Sequence, residues 1–182
     1  EEIGFSLYTE LLERAVRALK SGKIPDVDAE VERETEVELH IPALIPDDYL
    51  PDVHARLTLY KRIAGARDDD ALRELQVEMI DRFGLLPQQV RNLFAIATLK
   101  LRATPLGIRK LDLGPNGGRV VFRDKPDIEP MTILRLIQRQ PRVYKLDGQD
   151  KLRVVMELPG VTERLRAAEQ LLEALAVKAK AA

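Results

Sequence analysis

Apolar residues recur along this chain in two periods, and the change from one to the other organises it. Near the start Phe5, Tyr8, Leu12, Ala15 and Leu19 repeat at three- and four-residue steps, which predicts an amphipathic helix ending at Ser21-Gly22. Residues 23–35, KIPDVDAEVERET, lack a helical period and carry Pro25 among acids, the composition of a linker. From Thr35 to Ile41 the period is two: Val37, Leu39 and Ile41 alternate with Glu36, Glu38 and His40, as in a strand with one buried face, and Pro42 and Pro46 end it. Three helices follow, at about 51–64, 69–83 and 88–103. Their expected inward residues are Val53, Leu57, Tyr60 and Ala64 in the first, and Leu72, Leu75, Met79, Ile80 and Phe83 in the second. In the third they are Val90, Phe94, Ala97 and Leu101; Gly65, Gly84 and Pro87 separate the three.

The second half turns to strands. Ile108–Leu113 and Arg119–Phe122 flank GPNGG, whose Asn116-Gly117 pair tolerates positive φ and signals a hairpin. A helix near 130–140 precedes a second strand pair, Val143–Leu146 and Leu152–Met156, around Asp147-Gly148. A long amphipathic helix from about 162 closes the pattern with Val161, Leu165, Ala168, Leu172 and Leu175, and the alanine-rich 174–182 reads as a tail. Helices first and antiparallel hairpins afterwards predict an α+β fold. There is no internal repeat.

Composition narrows the partners. With 182 residues and 45% hydrophobic positions the chain can bury a real core. Its 29 basic and 30 acidic residues leave a net charge of −1, whereas a dedicated nucleic-acid domain normally shows a basic excess. The absence of Cys excludes disulfides and thiolate zinc sites and suits a reducing cytoplasm. No apolar run approaches the roughly 20 residues that span a bilayer. The start at Glu1 fits a piece of a longer polypeptide or a processed terminus.

Catalytic chemistry finds little purchase. There is no Gly-x-x-x-x-Gly-Lys-Ser/Thr loop, and the glycines at 114, 117 and 118 belong to a hairpin. His40 and His54 are the only histidines, and no Glu-x-x-His pattern accompanies them; His40 is expected to point outward from its strand. Asp47-Asp48, in IPDDYLP, is read as the carboxylate start of a helix.

The candidate site is the helix at about 69–83. At 100° per residue, Asp70, Glu74, Glu78 and Asp81 occupy a narrow arc opposite the apolar face. Asp68, Asp69 and Asp70 suit a helix start, but Glu78 and Asp81 lie too far along to gain from the dipole. Glu74 and Glu78, spaced i,i+4, repel by about 0.2–0.5 kcal/mol in an isolated helix. Two readings stand side by side: a docking face for a basic partner, or a solvated face partly neutralised by Arg67, Arg73 and Arg82.

FSLYTELLERAV, IPALIPDDYLPDVHARLTLYKRIAGA, LRELQVEMIDRFGLLPQQVRNLF, LGIRKLD and YKLDG, in that order, resemble the C-terminal domain of the bacterial transcription-repair coupling factor family over nearly the whole chain. The resemblance implies a helix at 1–22 continuing from an upstream motor, a linker at 23–35, and a compact regulatory domain at 36–182; the other reading of 1–22 folds it back onto that domain. It implies no catalytic role, cofactor or metal for this chain, with ATP and Mg²⁺ held by the motor of an ATP-dependent DNA translocase in the bacterial cytoplasm. It further implies docking on a UvrB-like module of the same polypeptide, which masks UvrA binding, while RNA polymerase is reached indirectly and DNA through other domains. VEMIDRFG places Glu78 and Asp81 at the family's interface positions, with Glu74 on the same surface and Arg82 either on it or paired with Glu78 one turn back. Two alternatives remain: a module contacting nucleic acid or polymerase through Arg135, Arg139, Arg142 and Lys145 beside Tyr144, and a scaffold that stabilises the motor.

Overall fold

A computed structural model describes residues 35–178; the expected helix at 1–22, most of the linker and the end of the tail lie outside the described residues. Among the described residues the chain forms five α-helices and a five-stranded sheet, the α+β class expected. In order these are β1 (Glu36–Glu38), α1 (Val53–Ala64), α2 (Asp69–Phe83), α3 (Gln88–Ala103), a 3-10 turn at Thr104–Leu106, β2 (Ile108–Gly114), β3 (Gly117–Phe122), α4 (Pro130–Arg139), β4 (Tyr144–Leu146), β5 (Lys151–Val155) and α5 (Val161–Leu175). The contacts divide the described chain into two compact units, Pro42–Thr98 and, discontinuous in sequence, 35–41 with 99–178. The division falls inside α3, between Thr98 and Leu99.

The first unit is helical. Leu59 and Ile63 of α1, Leu72, Leu75 and Met79 of α2, and Val90 and Phe94 of α3 are buried, with Ile45 and Leu50 from the segment before α1. That segment is fastened by polar groups. Asn92, itself buried, donates to Pro42 O (2.8 Å) while accepting from Gln88 (2.9 Å), and the Ile45 amide donates to the Tyr60 hydroxyl (2.6 Å). Two expectations change here. The inward face of α1 is Leu59 and Ile63, not the stripe through Val53 and Ala64, and Val53 is exposed. Both sets repeat at helical steps, so the period is right and the phase is decided by packing. Asp47 and Asp48 do not begin α1 either: they sit in a turn in which Tyr49 and Leu50 amides donate to Pro46 O. Pro51 disfavours helix at Leu50, and Asp52 is the N-cap, accepting from the His54 amide (3.3 Å).

The second unit is a mixed sheet with helices on one face. Strand order is β1-β2-β3-β5-β4; β1 runs parallel to β2 and every other pairing is antiparallel. Both expected hairpins form, and β1 is an edge strand beside β2. Alternate residues Val37, Leu111, Val120 and Leu152 line up across four strands on the buried face, and α5 packs on β2 through Ala168, Leu171, Leu172 and Leu175. The first strand is shorter than its alternation predicts. Its inward residues Thr35, Val37 and Leu39 are all buried, but His40 adopts φ 54° and ends the extended run two residues after Glu38. His40 does stay exposed as expected, with Nε2 2.8 Å from Asp112 Oδ1.

Candidate docking surface on the second helix

The helix carrying the predicted site starts and stops where its sequence says. Asp68 caps it by accepting from the Ala71 amide (2.7 Å), and Gly84 ends it at φ 95°, a left-handed value that favours glycine. Below the C-terminal turn the Tyr49 hydroxyl lies within hydrogen-bond reach of Gly84 O (2.9 Å) and Met79 O (3.2 Å), and its ring meets Phe83 edge-on at 6.0 Å. Burial pushes the Tyr49 hydroxyl pKa up, so it remains a donor across the physiological range. The end of α2 is thereby held rigidly.

Of the four predicted site residues, the structure joins two and leaves two free. Glu78 faces Arg62 of α1 in a forked pair, Nη1 to Oε2 at 2.5 Å and Nη2 to Oε1 at 3.0 Å, while Arg82 approaches the same Oε2 at 3.4 Å. Hydrogen bonding from Arg62, the largest influence, holds the Glu78 carboxyl below its ordinary pKa and raises that of Arg62. Arg82 also lies 4.8 Å over the Phe83 ring. Glu74 and Asp81 are exposed, and among the described residues neither has an ion pair. Asp70 is paired with Arg73 at 3.3 Å.

Sequence periodicity did not reveal Arg62, which sits sixteen residues before Glu78 on a different helix. It also assigned Ile80 to the buried face, whereas Ile80 is 38% exposed and Phe83 only half-buried. Ile80 lies at the margin of the apolar arc, whose centre at Leu72, Leu75 and Met79 is buried. Val77 (54%) and Leu85 (85%) are likewise exposed, so apolar side chains border the acids. No group of three or more His, Cys, Asp or Glu among the described residues is arranged to hold a metal ion, and no described helix is long and apolar enough to cross a membrane.

The architecture is that of a known α+β domain. A crystal structure described as the C-terminal domain of transcription-repair coupling factor superposes with a TM-score of 0.60 and 23% identity, covering 78% of this chain and 94% of that one. The TRCF domain family matches residues 39–133, more than half of the sequence, and the chain belongs to that family. It is similar to the transcription-repair-coupling factors of Escherichia coli (strain K12), 46% identical over 96% of this chain, and of Haemophilus influenzae, 45% identical over 97%. The Myxococcus xanthus protein of the same name is 38% identical over 83%. The chain spans about 15% of the length of the first two relatives and 12% of the third.

Proposed function

We propose that this chain is the non-catalytic, autoinhibitory docking domain of a bacterial, cytoplasmic transcription-repair coupling factor. Its acidic helix α2 rests on a basic surface of a UvrB-like module in the same polypeptide and covers the surface that binds UvrA. ATP hydrolysis, translocation and polymerase contact belong in this reading to other parts of the protein. The observation that supports it is the exposed ridge of Glu74 and Asp81 beside a Glu78 already braced by two arginines.

The bracing assigns roles to the carboxylates. Arg62 and Arg82 compensate much of the Glu78 charge, so Glu78 orients the surface and ties α2 to α1, while Glu74 and Asp81 supply uncompensated negative charge to a partner. Exposed charge pairs contribute about 0.2–1 kcal/mol each. Such a clasp is weak enough to open and is screened over about 8–10 Å at ordinary salt. Weakness is what a reversible mask requires.

The test measures UvrA binding by the full-length protein as wild type, with E74K/D81K, and with residues 34–182 deleted. Glu78 stays in place, because Glu78→Lys would set three cations together and confuse unfolding with undocking. Coupling between sites is typically about 1–3 kcal/mol, so both changes should raise UvrA affinity roughly 5- to 150-fold. If only the deletion releases binding, docking does not run through these carboxylates; if neither does, the autoinhibitory reading fails.

A further inference from the structure

The solvent face of the sheet carries a second charged surface, unrelated to α2. Strand register places Glu38, Asp112, Arg119, Arg153 and Lys145 in one row across all five strands, since each is paired directly with the next. The acidic end of the row is partnered: His40 Nε2 lies 2.8 Å from Asp112 Oδ1, and nearby Lys110 meets Glu36 at 3.8 Å. Its other end is not. Arg119 on β3, Arg153 on β5 and Lys145 on β4 are all exposed, stand directly opposite one another, and have no ion pair among the described residues. Lys151, two residues from Arg153, adds a fourth cation on the same face. Like charges directly opposite on neighbouring strands oppose folding. The unit that builds this face, residues 35–41 and 99–178, has 16 basic residues against 12 acidic, although the whole chain is nearly neutral.

We infer that the face of β3, β5 and β4 binds the phosphate backbone of double-stranded nucleic acid without reading its sequence. Neighbouring strands lie about 4.7–4.9 Å apart, so the three cations form a line roughly 10 Å long that can neutralise adjacent phosphates. A duplex presents fixed, closely spaced charges and releases condensed counterions when they are neutralised; the flexible carboxylates of an acidic peptide offer neither gain. The row also lacks the aromatic anchors of a protein interface and the aromatic platform that stacks single-stranded bases. Tyr144, the nearby aromatic, is buried on the opposite face with Val154. Among the described residues of this unit no helix lies on this face to enter a groove, so contact stays with the backbone.

The experiment uses the 182-residue chain and a mixed-sequence 30-base-pair DNA duplex, with binding followed by fluorescence anisotropy from 50 to 200 mM salt. Three to four phosphate contacts give a slope of log K against log salt of about −3, or roughly 60-fold weaker binding over that range. Arg153→Gln, at the centre of the row, should flatten the slope by about 1, and R119Q/K145Q/R153Q should abolish most of it. The triple variant should melt at or above the wild-type temperature, because it removes repulsion. R135Q/R139Q, on α4, should bind as wild type does. Absence of salt-dependent binding, or a folded triple variant that binds normally, overturns the inference. So does poly-glutamate binding as tightly as the duplex with the same loss in the variants, which would assign the face to an acidic protein.

Discussion

Three buried or braced side chains decide most of what single substitutions will do. The Arg62 fork holds the Glu78 carboxyl below its ordinary pKa, so the pair's contribution is present above about 4.5 and is lost as pH falls through the lowered folded value. Urea midpoints of wild type and Glu78→Gln should therefore differ at pH 6–7 and converge in acid, when both side chains are neutral. A gap that persists in acid would mean that shape, not charge, sets the contact. Arg164 is a different case. It is buried, pairs with no carboxylate among the described residues, and donates to four carbonyls: Leu158 O (2.7 Å), His40 O (3.1 Å), Pro159 O (3.2 Å) and Leu39 O (3.3 Å). It ties the start of α5 to the exit of β1. Unsatisfied buried acceptors cost about 1–3 kcal/mol, so Arg164→Met should lower chemical stability by at least that much. Lysine, with no planar fork, should recover only part of it. Neither Arg62 nor Arg164 could be singled out from sequence, because their partners lie on other elements.

At the scale of elements, α2 carries two superimposed patterns. Its apolar stripe was legible from spacing alone, and so was the acidic arc. What spacing did not reveal is the apolar border: at 100° per residue Val77 falls just outside the acidic arc, with Ile80 further round the helix and Leu85 just beyond its end. Protein interfaces draw energy from an apolar centre and specificity from a polar rim. In the proposed clasp, V77S/L85S should thus raise UvrA binding by the full-length protein, while changing the stability of the isolated chain by no more than about 0.5 kcal/mol. Unaltered UvrA binding would leave the clasp purely electrostatic. The same contrast appears in α1, whose helix was evident but whose buried face was not, since two apolar stripes share its surface.

At the scale of the whole molecule, the notable arrangement is that β1 lies far from β2 in sequence yet pairs with it in parallel, and that residues 35–41 belong with 99–178. Thr35 marks where this begins: its buried hydroxyl donates to Ile108 O (2.8 Å) and accepts from Thr104 (3.0 Å). Val37 and Leu39 are almost wholly buried, and burying each such side chain contributes about 1.5–3 kcal/mol. A chain starting at residue 34 is the reference for truncation. One starting at residue 42 should lose roughly 3–6 kcal/mol, read as a large fall in urea midpoint.

Sequence alone determined where the described helices and strands lie, because caps, breakers and hydrophobic period act between residues a few positions apart: Asp68, Gly84 and the Asn116-Gly117 hairpin needed no distant partner. It determined the α+β class and the family for the same reason, through local motifs kept in order. Tertiary structure decided the rest. Which stripe of α1 faces inward, which arginine holds Glu78, which strand β1 joins and which cations share one row all depend on residues brought together from 16 to more than 70 positions apart. Those choices are set by which packed arrangement buries the most apolar surface while pairing the buried polar groups, a comparison among whole folds that no local window of sequence contains.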